Sequence, residues 1–227
     1  AASDVYKRQS LRRAGCIRLV LFVLPVLLTG GEGVAAPPGG PLAFRGFSGG
    51  MALHTGWVGG GSVRLTTPAG RPLPVQRVRG VPFGIGGSIR FHFGEHLRVG
   101  TEGYGTYIDY GRTGSRFGIG WGGLLVDWQW HAGRFHPFAG VTVGGGVVRN
   151  TTFTHPAGND FVTEEGMSFR KYGFTALAPF VGTEFALTAR IGLMVKADWL
   201  VNAGRPQPDF PQGPRLYVGF IFYHCGE

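Results

Sequence analysis

The chain has 227 residues, of which 42 are glycine; 43% are hydrophobic, 13% aromatic and only 15% charged, with a formal net charge of +9. This length suits one domain or one barrel. The aromatic content excludes a disordered glycine-rich chain, and the dispersal of apolar residues into many short runs favours a β protein.

Residues 1–10 carry no pattern and are set aside. Arg12, Arg13 and Arg18 then precede or border the apolar run LVLFVLPVLL (Leu19 to Leu28), and small residues follow in GGEGVAAPP. A basic region, an apolar region and a small-residue site read as a secretory signal peptide. Cleavage after Ala35 is expected, because a cut after Ala36 would place Pro37 next to it. The run is too short to span a bilayer as a helix, and Cys16 precedes it, whereas a lipoprotein cysteine should follow. Removal of residues 1–35 takes away Lys7, Arg8, Arg12, Arg13, Arg18, Asp4 and Glu32 and lowers the charge to +6. Cys225 then remains alone, so no intrachain disulfide is expected. The expected organisation is a signal peptide over 1–35, a periplasmic lead over 36–45, a barrel over 46–223 and a tail over 224–227.

Strand side chains alternate between faces, and eight segments show that alternation. The first (46–58) sets Phe47, Met51, Leu53 and Trp57 against Ser48, Gly50, Ala52 and His54. The second (81–93) sets Val81, Phe83, Ile85, Ile89 and Phe91 against Gly84, Gly86, Ser88, Arg90 and His92. In the third, Leu97, Val99 and Thr101 alternate with Arg98, Gly100 and Glu102. The fourth, RFGIGWGGLLVDWQWH, changes parity. Phe117, Ile119 and Trp121 are odd, whereas Leu124, Val126, Trp128 and Trp130 are even, so a bulge at Gly122–Gly123 is expected. The fifth sets Ala139, Val141, Val143 and Val147 against glycines and Thr142. The sixth sets Leu177, Pro179, Val181 and Phe185 against Ala178, Gly182 and Glu184. The seventh sets Ile191, Leu193, Val195 and Trp199 against Gly192, Met194, Lys196 and Asp198. The last sets Leu216, Val218, Phe220 and Phe222 against Arg215, Tyr217 and Gly219.

The first, fifth and seventh connections (59–80, 149–173 and the stretch NAGRPQPDFPQGP) are long, the even-numbered ones are short, and the third, GRTGS, is short for the pattern. Long loops on one side, short turns on the other and an even strand count describe a transmembrane barrel. The face opposite the apolar one is small and sparsely charged, unlike a solvated surface. Trp57, Tyr107, Tyr110, Trp128, Trp130 and Trp199 gather at segment ends, as interfacial girdles do. The expected fold is therefore all-β: an eight-stranded antiparallel transmembrane β-barrel, an up-and-down meander with both termini periplasmic. A secreted soluble barrel or sandwich is the alternative.

The segments PFAGVTVGG (Pro137 to Gly145) and PFVGTEFAL (Pro179 to Leu187) resemble strands of small outer-membrane barrels of the OmpA, OmpX and OmpW type. GFSGGMALHTGW, GIGGSIRFHFGEHLRVGTEGY, GWGGLL and GPRLYVGF more closely resemble a group of small outer-membrane proteins with no assigned activity. The resemblance covers most of residues 46–223 and implies a fold without a chemistry. It departs at the end, where HCGE follows Phe222 and Tyr223 in place of a terminal aromatic residue.

Parity sends Arg90, Arg98, Lys196 and Arg215 into the barrel, together with Glu102, Asp127, Glu184 and Asp198. Buried charges need partners, and a balanced set implies a paired plug, whereas a selective pore carries an excess of one sign. His54 and His92 also face inward. With Glu102 or Glu184, and with Ser48 or Ser88 as nucleophile, they outline the alternative of a lipid-modifying enzyme. HFGEH lacks a third metal ligand, and no cofactor is expected. Arg64, Arg71, Arg77 and Arg79 of the first loop, with no acidic residue among them, are placed to meet lipopolysaccharide phosphates. The third loop is mixed, with Asp160, Glu164 and Glu165 against Arg149, Arg170 and Lys171. Nucleic acid is not an expected partner. The expected partners are outer-membrane lipid, lipopolysaccharide and the barrel-insertion machinery. The expected protein is a monomer with a structural or surface-interaction role. A small-solute channel is the second reading and a lipid-modifying enzyme the third.

Overall fold

A computed structural model describes residues 40, 42–63, 66, 70, 72, 75–110, 114–153 and 167–225. The expected signal peptide, Arg64, Arg71, Asp160, Glu164 and Glu165 lie outside them. The chain divides into residues 1–43 and Phe44–Glu227, and the fold is that of the second unit. Its strands are β1 (Phe44–Gly56), β2 (Val58–Val63), β3 (Gln76–Gly80), β4 (Phe83–Phe93), β5 (Leu97–Tyr110), β6 (Ser115–Gln129), β7 (Phe135–Phe153), β8 (Met167–Ala186), β9 (Ile191–Trp199), β10 (Val201–Asn202) and β11 (Pro214–Cys225).

Eight of these strands form a closed antiparallel ring in the order β1, β4, β5, β6, β7, β8, β9, β11 and back to β1, with β10 prolonging β9 along β8. The register can be followed once around. From Phe185 it passes through Leu193, Phe220, Met51, Gly87, Gly103, Gly122 and Gly145 and returns to the starting strand at Thr175, ten residues away. Such a stagger tilts the strands by roughly 35–45°, and eight strands leave a lumen that side chains alone can fill.

The two faces separate cleanly. Outside, Leu124 is 66% exposed, Met51 63%, Val181 60% and Ile85 51%. Inside, Arg90, Glu184, Lys196 and Tyr217 are fully buried. The apolar outer face recurs on every strand of the ring, far beyond the few hundred Å² of contiguous apolar patch that a soluble monomer exposes. Trp57, Tyr107 and Trp199 are exposed toward one end of this belt, and Trp128, Trp130, Phe135 and Phe222 toward the other.

Three expectations are corrected. The parity change in the fourth segment is not a bulge. The register of β6 runs without a shift against β5 and against β7. Phe117, Ile119 and Trp121 instead face the lumen, each at most 6% exposed, while Leu124, Val126 and Trp128 face out. The segment 59–80 is not wholly loop: β2 and β3 pair as an antiparallel hairpin, and Arg77 and Arg79 lie on its second strand. Much of 149–173 is also strand, since β7 and β8 stay paired from Phe135↔Phe185 to Phe153↔Met167.

The end that holds Phe44 and Cys225 also holds the short turns 94–96, 130–134 and 187–190. Two of these turns require glycine. Gly94 (φ 59°) and Gly133 (φ 64°) adopt the left-handed conformation that other residues resist.

A charge on the outer belt tests which face meets lipid. Ile85→Arg and Val181→Arg should each lower stability in lipid vesicles by roughly 2–4 kcal/mol, read as a fall in the denaturant midpoint. Unchanged midpoints in both would mean that the faces are reversed.

Candidate functional site: the charged lumen

Parity along each strand aims polar side chains at the axis, and the register then decides which of them meet. All eight residues named from the sequence line the lumen, each at most 6% exposed. They form two clusters.

In the cluster nearer the short turns, Asp127 of β6 accepts from Arg90 Nε of β4 (3.1 Å) and from Arg98 Nε of β5. Arg98 Nη1 donates to Glu184 of β8 at 2.7 Å. The other oxygen of Glu184 accepts from Tyr223 (2.6 Å) and from Gln129 Nε2 (3.0 Å). Arg90 Nη1 donates to Ser88 Oγ at 2.8 Å. The Phe138 ring lies against both guanidinium groups, at 5.5 Å from Arg90 and 4.9 Å from Arg98.

In the second cluster, Glu102 of β5 accepts from Lys196 Nζ of β9 (2.7 Å), Thr142 Oγ1 of β7 (2.7 Å) and Tyr104 (3.3 Å). Arg215 of β11 grips Asp198 with two parallel bonds of 2.7 and 2.8 Å, the bidentate geometry that guanidinium favours. Lys196 Nζ sits 4.4 Å from the Tyr217 ring centroid and 4.9 Å from those of Tyr104 and Phe180. Arg215 lies over Trp121 at 4.7 Å. Every strand of the ring except β1 contributes to these bonds.

Ser48 and His54 of β1 are buried. Ser48 Oγ lies 2.8 Å from His92 Nε2. Ser48 is inaccessible, however, and no carboxylate among the described residues bonds the other ring nitrogen of His92, so this pair has neither access for a substrate nor an orienting acid. Ser88 is engaged by Arg90. His54 packs as an aromatic, stacked on Tyr217 at 4.9 Å and edge-on to Tyr104 at 5.5 Å, with neither ring nitrogen hydrogen-bonded. In the turns, His131 lies 6.0 Å from His96 and 5.0 Å from His136. Partial burial and these two neighbours lower its pKa. Among the described residues, no three ligating side chains converge as a metal site would need.

Both mouths narrow onto this core. On the short-turn side a vestibule of about 560 Å³, lined in part by Arg45, His92, His96, Gln129 and His224, ends at Arg98 and Tyr223. On the other side the β10–β11 connection folds inward. Asp209, Phe210 and Pro211 are buried, Phe210 meets Phe174 at 5.1 Å, and Arg170 Nη2 donates to Gln207 at 2.6 Å.

The sequence reading did not list Gln129, Tyr104, Thr142 or Tyr223 as part of the network, although parity places all four inward. Arg77 and Arg79 are exposed on the β2–β3 hairpin, and Arg79 lies over the Trp57 ring at 5.1 Å.

No protein-family model and no curated protein matches the chain. Solved structures are similar to it, among them these two. Neisserial surface protein A (NspA) superimposes with a TM-score of 0.53 at 12% identity, over 80% of this chain and 99% of that one. The outer membrane protein OprG from Pseudomonas aeruginosa gives 0.50 at 12% identity, over 80% and 97%. The fold is that of the small outer-membrane β-barrels. At such identities the likeness carries the architecture and no activity.

Two substitutions probe the core. Glu184→Gln leaves Arg98 short of a buried counter-charge, and breaking such a pair costs about 3–5 kcal/mol. The denaturant midpoint should fall, and Arg98→Met added to Glu184→Leu should recover much of the loss. An unchanged midpoint for Glu184→Gln would show that the pair holds nothing. Gly182→Ala would bring a Cβ within 2.4 Å of the Phe138 ring and displace the surface on which both arginines rest. Overpacking of this kind costs about 1–3 kcal/mol, and thermal melting of the refolded barrel is the measurement.

Proposed function

We propose that this chain is an outer-membrane barrel of a Gram-negative envelope whose lumen is closed by its own charge network, and that it acts through what its long-loop end presents. In this reading it is a structural or surface-interaction protein, exported by a cleaved signal peptide, seated as a monomer with both termini in the periplasm, and it catalyses no reaction. The observation that carries it is the pairing of four cations with four carboxylates across the lumen, tying six of the eight strands together, with Thr142 of β7 bonded to Glu102 as a seventh. A conducting path would require desolvated ion pairs to separate, which is costly. The continuous apolar belt with aromatic residues toward both ends supports the membrane seat.

The partners in this reading are lipid, the insertion machinery during assembly, and lipopolysaccharide. Arg77 and Arg79 on the β2–β3 hairpin are offered to its phosphates, and the Arg79–Trp57 contact holds one of them near the aromatic girdle.

Single-channel recording of the mature protein, refolded into a planar bilayer and checked by heat-dependent gel mobility, tests the closed lumen. A folded, silent barrel is expected. Steady openings would sink the plug and make small-solute passage the function.

A further inference from the structure

The outer wall near the long loops carries a charge pattern that the lumen does not explain. On β5 and β6, Asp109 is the register partner of Arg116, and Arg116 Nε donates to it at 2.7 Å. Opposite charges facing each other across two strands are the favourable arrangement. Further around the ring the rule is broken. Arg149 of β7 is the register partner of Lys171 of β8, and both side chains are exposed. Like charges directly opposite one another are destabilising, and among the described residues neither has an acidic partner.

The height of this pair is telling. Phe83, Tyr107, Gly118, Arg149 and Lys171 share one row of register partners. Because the strands tilt, a row climbs toward the long-loop end by roughly 3 Å per strand, given a rise of about 3.3 Å per residue and the ten-residue stagger. Tyr107 belongs to the aromatic girdle. Arg149 and Lys171, two and three strands further on, stand about 6–9 Å above it, level with lipid headgroups.

Beneath Arg149 the wall is hollow. A groove of about 410 Å³ is lined by Gly105, Tyr107, Gly118, Gly120, Val147 and Arg149. A Cβ added at Gly105 or Gly120 would meet nothing within 4 Å, so the groove exists because side chains are missing there. It runs from Arg149, the β7 member of the cation pair, down into the apolar belt.

We propose that Arg149 and Lys171 clamp the phosphate of an anionic lipid of the outer leaflet, with an acyl chain lying along the groove of Gly105, Gly118 and Gly120. The phosphate offsets the repulsion of the two cations, and the guanidinium engages it with paired donors. This rests on the reading of the outer wall as lipid-facing, and the site is distinct from Arg77 and Arg79.

The test uses the mature barrel refolded into phosphatidylcholine vesicles with and without added lipid A, read as the temperature at which the folded gel band is lost. Lipid A should raise that temperature in the wild type. Arg149→Gln with Lys171→Gln should lose most of the rise, and Arg77→Gln with Arg79→Gln should keep it. Gly120→Leu, which fills the groove and leaves the clamp, should reduce it. In pure phosphatidylcholine the Arg149/Lys171 double variant should melt no lower than the wild type, because a repulsion has been removed. A double variant that melts lower there overturns the proposal, since its cations must then have partners within the protein. An equal lipid A response in wild type and double variant also overturns it, as does the same rise from inorganic phosphate alone. Failure of the wild type to fold into any vesicle would instead strike at the barrel reading itself.

Discussion

The structure depends on one constraint: eight strands closed with a ten-residue stagger leave no room inside except for side chains. Everything that points inward must be packed against something else that points inward, and each formal charge must meet its opposite there. Charged residues placed there find each other across the axis, and large rings find glycines on the adjoining strand. Phe138 lies where Gly182 has no side chain, and Tyr104 likewise faces Gly86. At Gly84, Gly86, Gly146, Gly182 and Gly192 the missing side chain is the space that a ring of a neighbouring strand occupies.

The lumen is also layered. Near the short turns it is ionic, with Arg90, Arg98, Asp127 and Glu184. Toward the long loops it becomes apolar, with Ile108, Phe117, Ile119 and Val148 buried among one another. Trp121 stands at the boundary, beneath the Arg215 guanidinium. Charge fills the half near the short turns, while apolar packing fills the other together with buried polar side chains such as Ser115, Asn150 and Thr152, and Phe210 packs against Phe174 there.

This layering explains what could be read in advance. The inward direction of seven of the eight charged residues was legible because their segments alternate without a break around them, and Asp127 was placed by the second half of the fourth segment alone, where Leu124, Val126 and Trp128 mark the outer face. The fourth segment misled because hydrophobicity marks the lipid face only where the lumen is polar. Between Phe117 and Trp121 the lumen is itself apolar, so β6 changes the chemistry of its two faces without changing its geometry. The pairing partners were not legible, because Arg98 meets Glu184 across 86 positions of sequence and only the register brings them together. Nor did the glycine-, proline- and arginine-rich stretch after Trp57 announce the β2–β3 hairpin, which is held by backbone pairing and shows little alternation.

The ring closes where β1 pairs with β11, joining the two ends of the domain. Seven of its eight seams join neighbours along the chain, and these form from local contacts. The eighth must wait. Until β11 has been delivered, β1 and β9 each present an open edge of unpaired backbone groups, the kind of edge that recruits foreign strands. Assembly is thereby obliged to finish late, with β11, the ring strand furthest along the chain, serving as the latch. The danger in the life of this molecule falls in the interval before that latch is set, when the half-built sheet must be shielded from its own copies.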